Sequence, residues 1–138
     1  MNTYYFNDDN FKNTNLYINF INDNPKQGFL NIRASSASSA IPVEGLKVVV
    51  SKIVDNTNII FFEGYTDSSG MIDMITLPAP NLNSDNMIKP QNILYDLYAT
   101  YLPNNYSSKY NIRIYDGVCV LQNINITPQM KVSGINGS

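Results

Sequence analysis

Between Pro42 and Pro80 apolar runs of strand length alternate with turn signals. In the first run Leu46, Val48 and Val50 fall on one face of an extended chain and Lys47 on the other. The run from Ile59 to Tyr65 is β-branched and aromatic, which suits a pleated surface. Thr66-Asp67-Ser68-Ser69-Gly70 follows, then Met71 to Thr76, then the prolines at 78 and 80. Asp at the start of a turn bonds the backbone two residues on, and Gly at its end takes positive φ. Asp67 and Gly70 are therefore expected to form a structural turn. A period of two broken by turns at this spacing demands packed sheets with one buried face each.

The rest of the chain keeps that period. Leu30, Ile32 and Ala34 share a face, as do Tyr95, Leu97, Ala99 and Tyr101, and then Tyr110, Ile112 and Ile114. Val118, Val120, Ile124 and Ile126 form the last set, and Asp116-Gly117 before them predicts a hairpin. The expected fold is all-β, a seven-stranded antiparallel sandwich over residues 28–128. Residues 1–27 read as a leader. There, Leu16 and Phe20, and Tyr17 and Ile21, stand four apart, which predicts a short helix ended by Asn24-Pro25. An extended strand is the alternative for this leader. Residues 129–138 read as a flexible tail. There is no internal repeat and no second domain.

Composition narrows the partners. With 138 residues and 43% hydrophobic content, the chain suits one domain with its own core. Net charge is −2, and no Lys/Arg cluster occurs, so no nucleic-acid partner is expected. No apolar run reaches the roughly 18 residues a membrane span needs, so no membrane insertion is expected. The first ten residues carry Asp8 and Asp9 and lack a basic start, so no signal peptide is expected and the chain is read as made in the cytoplasm. Cys119 is alone, which excludes an intrachain disulfide, and it has no basic neighbour to lower its pKa.

Four segments, Gly28 to Ala34, Ile41 to Val50, Thr66 to Gly70 and Leu77 to Pro80, resemble the transthyretin-like, carboxypeptidase-regulatory-like and collagen-binding-B family. Asn24-Pro25-Lys26-Gln27-Gly28-Phe29-Leu30 and Tyr110 to Val118, ending at Pro128, resemble more narrowly the non-catalytic N-terminal domain of bacterial spore cortex-lytic enzymes. The resemblance implies a β-sandwich associated with the spore or cell envelope. It carries over the fold and not the lytic activity.

No catalytic, cofactor or metal site is expected. The chain has no His, the usual general base and the commonest metal ligand. Asp67 and Asp73 flank one hairpin without the spacing of a calcium loop. Some members of the resembled family carry an intramolecular isopeptide bond, but the strand from Phe29 offers Arg33 and no Lys. Glu44 and Glu63 match no lytic motif. The chain is accordingly expected not to be an enzyme. The candidate contact surface is Tyr95, Tyr98, Tyr101, Tyr106 and Asn104, with the 81–92 loop. Tyr95 and Tyr101 should face together and Tyr98 away, and the competing reading buries the inward rings in the core. The expected function is a non-catalytic accessory or adhesion domain contacting a protein partner or cell-wall glycan. The alternative is a self-assembling fibre or multimer, a homo-oligomer built through strand edges.

Overall fold

A computed structural model describes residues 1–37, 40–82 and 91–126. The tail expected at 129–138 and most of the 81–92 loop lie outside the described residues. The elements in order are β1 (Asn2–Tyr5), α1 (Asp9–Lys12), α2 (Asn15–Asp23), β2 (Lys26–Ser36), β3 (Ile41–Pro42), β4 (Lys47–Val54), β5 (Thr57–Tyr65), β6 (Met71–Ala79), β7 (Ile93–Tyr101), β8 (Tyr106–Ile114) and β9 (Cys119–Ile126). They build the expected all-β sandwich. One sheet runs β1-β5-β4-β7-β8; in the other, β2 pairs with β3, β6 and β9. Alternation sets what is buried. Leu30, Ile32 and Ala34 on β2, with Ile124 and Ile126 beside them on β9, face Val48 and Val50 and Leu97 and Ala99 across a core from which solvent is excluded.

The structure departs from the sequence expectation in two ways. First, it adds two strands, β1 and β3, to the expected seven, and two of its pairings, β1 with β5 and β2 with β9, are parallel. Second, Asp116-Gly117 does not close a hairpin. The turn forms, with Val118 N–H donating to Tyr115 O at 3.2 Å, but β8 and β9 enter different sheets. The reason lies on β2. Its Gln27 carbonyl accepts from Gly117 N–H at 2.8 Å, and its Phe29 N–H donates to Val118 O at 2.9 Å. These bonds draw the turn across the sandwich. Gly28 makes the crossing possible, because a Cβ there would run into the Tyr115 carbonyl and the Ile114 side chain.

The leader is both strand and helix. The β-favouring Thr3-Tyr4-Tyr5 run adds to the edge of β5. Asp8 caps α1 by accepting from Asn10 N–H, and Thr14 caps α2 by accepting from Tyr17 N–H. Asn24 ends α2 by donating its side-chain amide to Phe20 O at 3.0 Å. β2 then begins at Lys26, ahead of the expected boundary at 28. The leader buries Phe11 and Phe20. Ring contacts run from Tyr4 and Phe11 (5.3 Å) through Phe6 and Phe61 (4.8 Å) to Phe61 and Tyr95 (4.9 Å). Phe11→Ala should therefore cost about 3–5 kcal/mol, the range for emptying a buried phenylalanine site, read by chemical denaturation.

The Asp67 to Gly70 turn is not the hairpin the sequence suggested: it carries the chain from β5 in one sheet to β6 in the other. The Asp67 carboxylate accepts from the amides of Ser69 at 2.9 Å and Met71 at 3.0 Å, and Gly70 N–H donates to Asp67 O at 2.8 Å. Gly70 sits at φ +75°, and a Cβ there would meet the Ala34 carbonyl oxygen. Gly70→Ala should cost more than the roughly 1–2 kcal/mol of a left-handed alanine and lower Tm measurably. Exposed Ser68→Ala should leave Tm nearly unchanged in the same melt.

Candidate functional site

Because Val48, Val50, Leu97 and Ala99 point inward, their neighbours on β4 and β7 point outward. Register then aligns Glu63, Val49, Tyr98 and Lys109 in one row across four strands, with Tyr65, Lys47, Thr100 and Ser107 beside it. At one end of this outer face Lys109 Nζ lies 5.7 Å from the centre of the Tyr98 ring and 3.7 Å from Asp96 Oδ1. At the other end Glu63 holds two partners. Lys47 Nζ is 3.2 Å from Glu63 Oε2, and the Tyr5 hydroxyl donates to Glu63 Oε1 at 3.1 Å. Each lysine of the face is thus matched by a carboxylate.

Tyr5 comes from the leader, and its arrival makes a cleft. The cleft measures about 520 Å³ and is lined by Tyr5, Asn7, Ile60, Phe62, Glu63 and Tyr65 among others. The Tyr65 side chain is 64% exposed and that of Tyr5 52%, so both rings are open to a ligand. The hydrogen bond to Glu63, and then its negative charge, hold the Tyr5 phenol above its usual range. The same two causes raise the Lys47 ammonium. Lys52 does a different job. Its Nζ donates to Leu94 O at 2.8 Å, on β7 beyond the last register pair with β4, and burial lowers its pKa.

The five residues expected to form a contact surface do not assemble into one. Tyr95 is fully buried, and its hydroxyl donates to Pro78 O at 2.6 Å. It belongs to the core, because its parity on β7 matches Leu97 and Ala99. Burial pushes its phenol strongly upward. Tyr101 and Tyr106 pair with each other and are partly buried against the core. The Tyr106 hydroxyl lies 2.7 Å from Ser108 Oγ and 3.0 Å from the Tyr110 hydroxyl. Asn104 ends a 3₁₀ turn over Leu102–Asn104. Tyr98 alone of the five is on the open outer face. Sequence reasoning missed Tyr5, Asn7 and Lys47 as neighbours of Glu63; the Tyr5 approach depends on a parallel pairing across 55 positions that leaves no local signal. Among the described residues no group of three His, Cys, Asp or Glu side chains gathers to hold a metal ion. No helix among them is long and apolar enough to cross a membrane.

The sequence matches no protein-family model and aligns with no curated protein. Solved structures do match. Klebsiella pneumoniae 5-hydroxyisourate hydrolase is similar at a TM-score of 0.50 and 14% identity, over 73% of this chain and 85% of that one. An (S)-allantoin synthase is similar at 0.53 and 12% identity, over 78% of this chain and 43% of that one. The fold is transthyretin-like. The expectation that the chain is not an enzyme is contradicted by these neighbours, since both are enzymes that share the fold, at 12–14% identity.

The Tyr5–Glu63 bond makes a measurable pH prediction. Replacing the carboxylate takes away the two largest causes that raise the phenol, so Glu63→Gln should move the Tyr5 titration to lower pH. The ring-carbon chemical shift of Tyr5 followed against pH reads this directly. An unchanged midpoint would mean the bond does not persist in solution.

Proposed function

We propose that this chain is a binding domain of the bacterial cell or spore envelope that contacts cell-wall glycan through the outer face of the five-stranded sheet. The observation that carries the reading is the row of Glu63, Val49, Tyr98 and Lys109, flanked by exposed Tyr65 and Tyr5. Exposed rings gathered on one open sheet face suit a contact surface. Tyrosine offers a flat apolar face and a polar tip in one side chain, which suits the stacked rings and hydroxyls of a sugar. The charges support a neutral partner. Lys47 is paired with Glu63 and Lys109 with Asp96, so the face offers donors and acceptors without a net field. The likeness of the sequence to the N-terminal domain of spore cortex-lytic enzymes supports the envelope setting.

A second reading has the domain act on its ligand. Glu63 favours it, as a carboxylate beside a tyrosine hydroxyl and an ammonium in a cleft, and so do the enzymes that share the fold. In that reading Glu63 would serve as an acid or base in hydrolysis.

The full chain should be retained on purified peptidoglycan above an unrelated sandwich domain. Tyr98→Ala should reduce that retention several-fold, as loss of about 1 kcal/mol of ring contact implies. Equal retention of the variant, or no retention of the parent, removes the proposal. Release of soluble muropeptides that stops in Glu63→Gln would establish the second reading.

A further inference from the structure

We infer that the cleft between β1 and β5 is a subsite for an N-acetylated amino sugar, the ring at the end of a glycan laid across the outer face. This rests on the glycan reading above and adds the identity of the sugar and the place of its terminal ring.

The walls of the cleft offer two kinds of contact. Glu63 accepts from Tyr5 and pairs with Lys47, while a carboxylate has about four acceptor positions. The remaining positions face solvent beside an ammonium that has donors to spare. An acceptor next to a donor, with the rings of Tyr5 and Tyr65 close by, matches adjacent hydroxyls on a sugar ring. The salt bridge cancels the local charge, so neither a free anion nor a free amine is selected. A second part of the cleft is chemically different. Ile60 supplies an apolar wall on the Glu63 side of the sheet, Phe62 borders the cleft at the strand edge, and Asn7 supplies an amide. An apolar wall beside an amide is complementary to an acetamido group, which carries a methyl and an amide of its own. A plain hexose has nothing to place there. The volume, about 520 Å³, lies in the range of small-ligand sites and fits a terminal ring with its neighbour, not a long chain.

The site also depends on how the chain is assembled. Tyr5 and Asn7 come from the leader, Lys47 from β4, and the rest from β5. The subsite exists only while β1 lies along β5.

The test is an amide NMR titration of the full chain with tri-N-acetylchitotriose, and separately with cellotriose, which has the same linkage and no acetamido groups. The acetylated sugar should perturb Asn7, Glu63 and Tyr65 and bind about tenfold tighter, the worth of one buried methyl plus one hydrogen bond. Asn7→Ala should lower the affinity for the acetylated sugar toward that for cellotriose, and Glu63→Ala should weaken both. Both substitutions are at exposed positions, and a melt confirms that the variants fold. Equal binding of the two sugars, shifts confined to Tyr98 and Lys109, or unchanged affinity in Glu63→Ala would overturn the subsite. The peptidoglycan pull-down separates the two claims. Retention lost in Tyr98→Ala and kept in Asn7→Ala and Glu63→Ala leaves the outer-face reading standing and rejects the subsite. Chitotriose binding in the cleft without retention on peptidoglycan supports the subsite and rejects the wall reading.

Discussion

One hydrogen bond spans the two sheets at the centre of the molecule. Tyr95 on β7 donates its hydroxyl to the carbonyl of Pro78 on β6, and both are buried. A buried phenol without a partner would be costly, so the acceptor position is as constrained as the ring. Pro78 is suited to the role because β6 is an edge strand and its missing N–H leaves no ladder bond unmade. The Tyr95 ring meets Phe61 nearly edge-on, at 78°, and Phe61 meets Phe6 and Phe20 of the leader. Sheet packing and leader docking therefore share one anchor. The same strand sets the outer surface. With Tyr95, Leu97 and Ala99 inward, Asp96 and Tyr98 must point out, and a slip of one residue would exchange the two sets.

That coupling bears on function. The outer face is a by-product of core alternation, and it carries rings and matched charges. The fold it sits on is shared with a hydrolase and a synthase at 12–14% identity, which fixes the architecture and leaves the chemistry to the site. Glu63 is the point where the readings meet. Held between Tyr5 and Lys47, it is a hydrogen-bond acceptor for a ligand in one reading and a reacting group in the other.

Much of the sandwich was legible in the sequence because its signal is local. Leu30, Ile32 and Ala34, or Leu97 and Ala99, declare a buried face through alternation alone. Leu16 and Phe20 likewise declare a helix, and the structure forms one at Asn15–Asp23. What stayed hidden is non-local. Alternation puts Tyr95 and Tyr98 on opposite faces, but only the packed partner sheet decides which face is wet. Nothing near Asp116-Gly117 reveals that Gln27 and Phe29 will capture the turn. Nothing near Tyr5 reveals that Ile60 will lie beside it. Parallel pairing leaves no turn between its strands to read. The candidate site was hidden for the same reason, since it joins a leader strand to a carboxylate that looks unremarkable in its own run.

The leader's position in the chain has a consequence for biogenesis. Its aromatic residues leave the ribosome ahead of their seat, made by Phe61 and Tyr95, which is completed only after β5 and β7 have been synthesised. Until then Phe6, Phe11 and Phe20 have no native partners outside the leader, and the parallel pairing of β1 waits for β5 while that of β2 with β9 waits longer still. The leader is thus made well before the strands that cover it, and until they arrive the nascent chain displays an unsatisfied sheet edge and a run of uncovered rings.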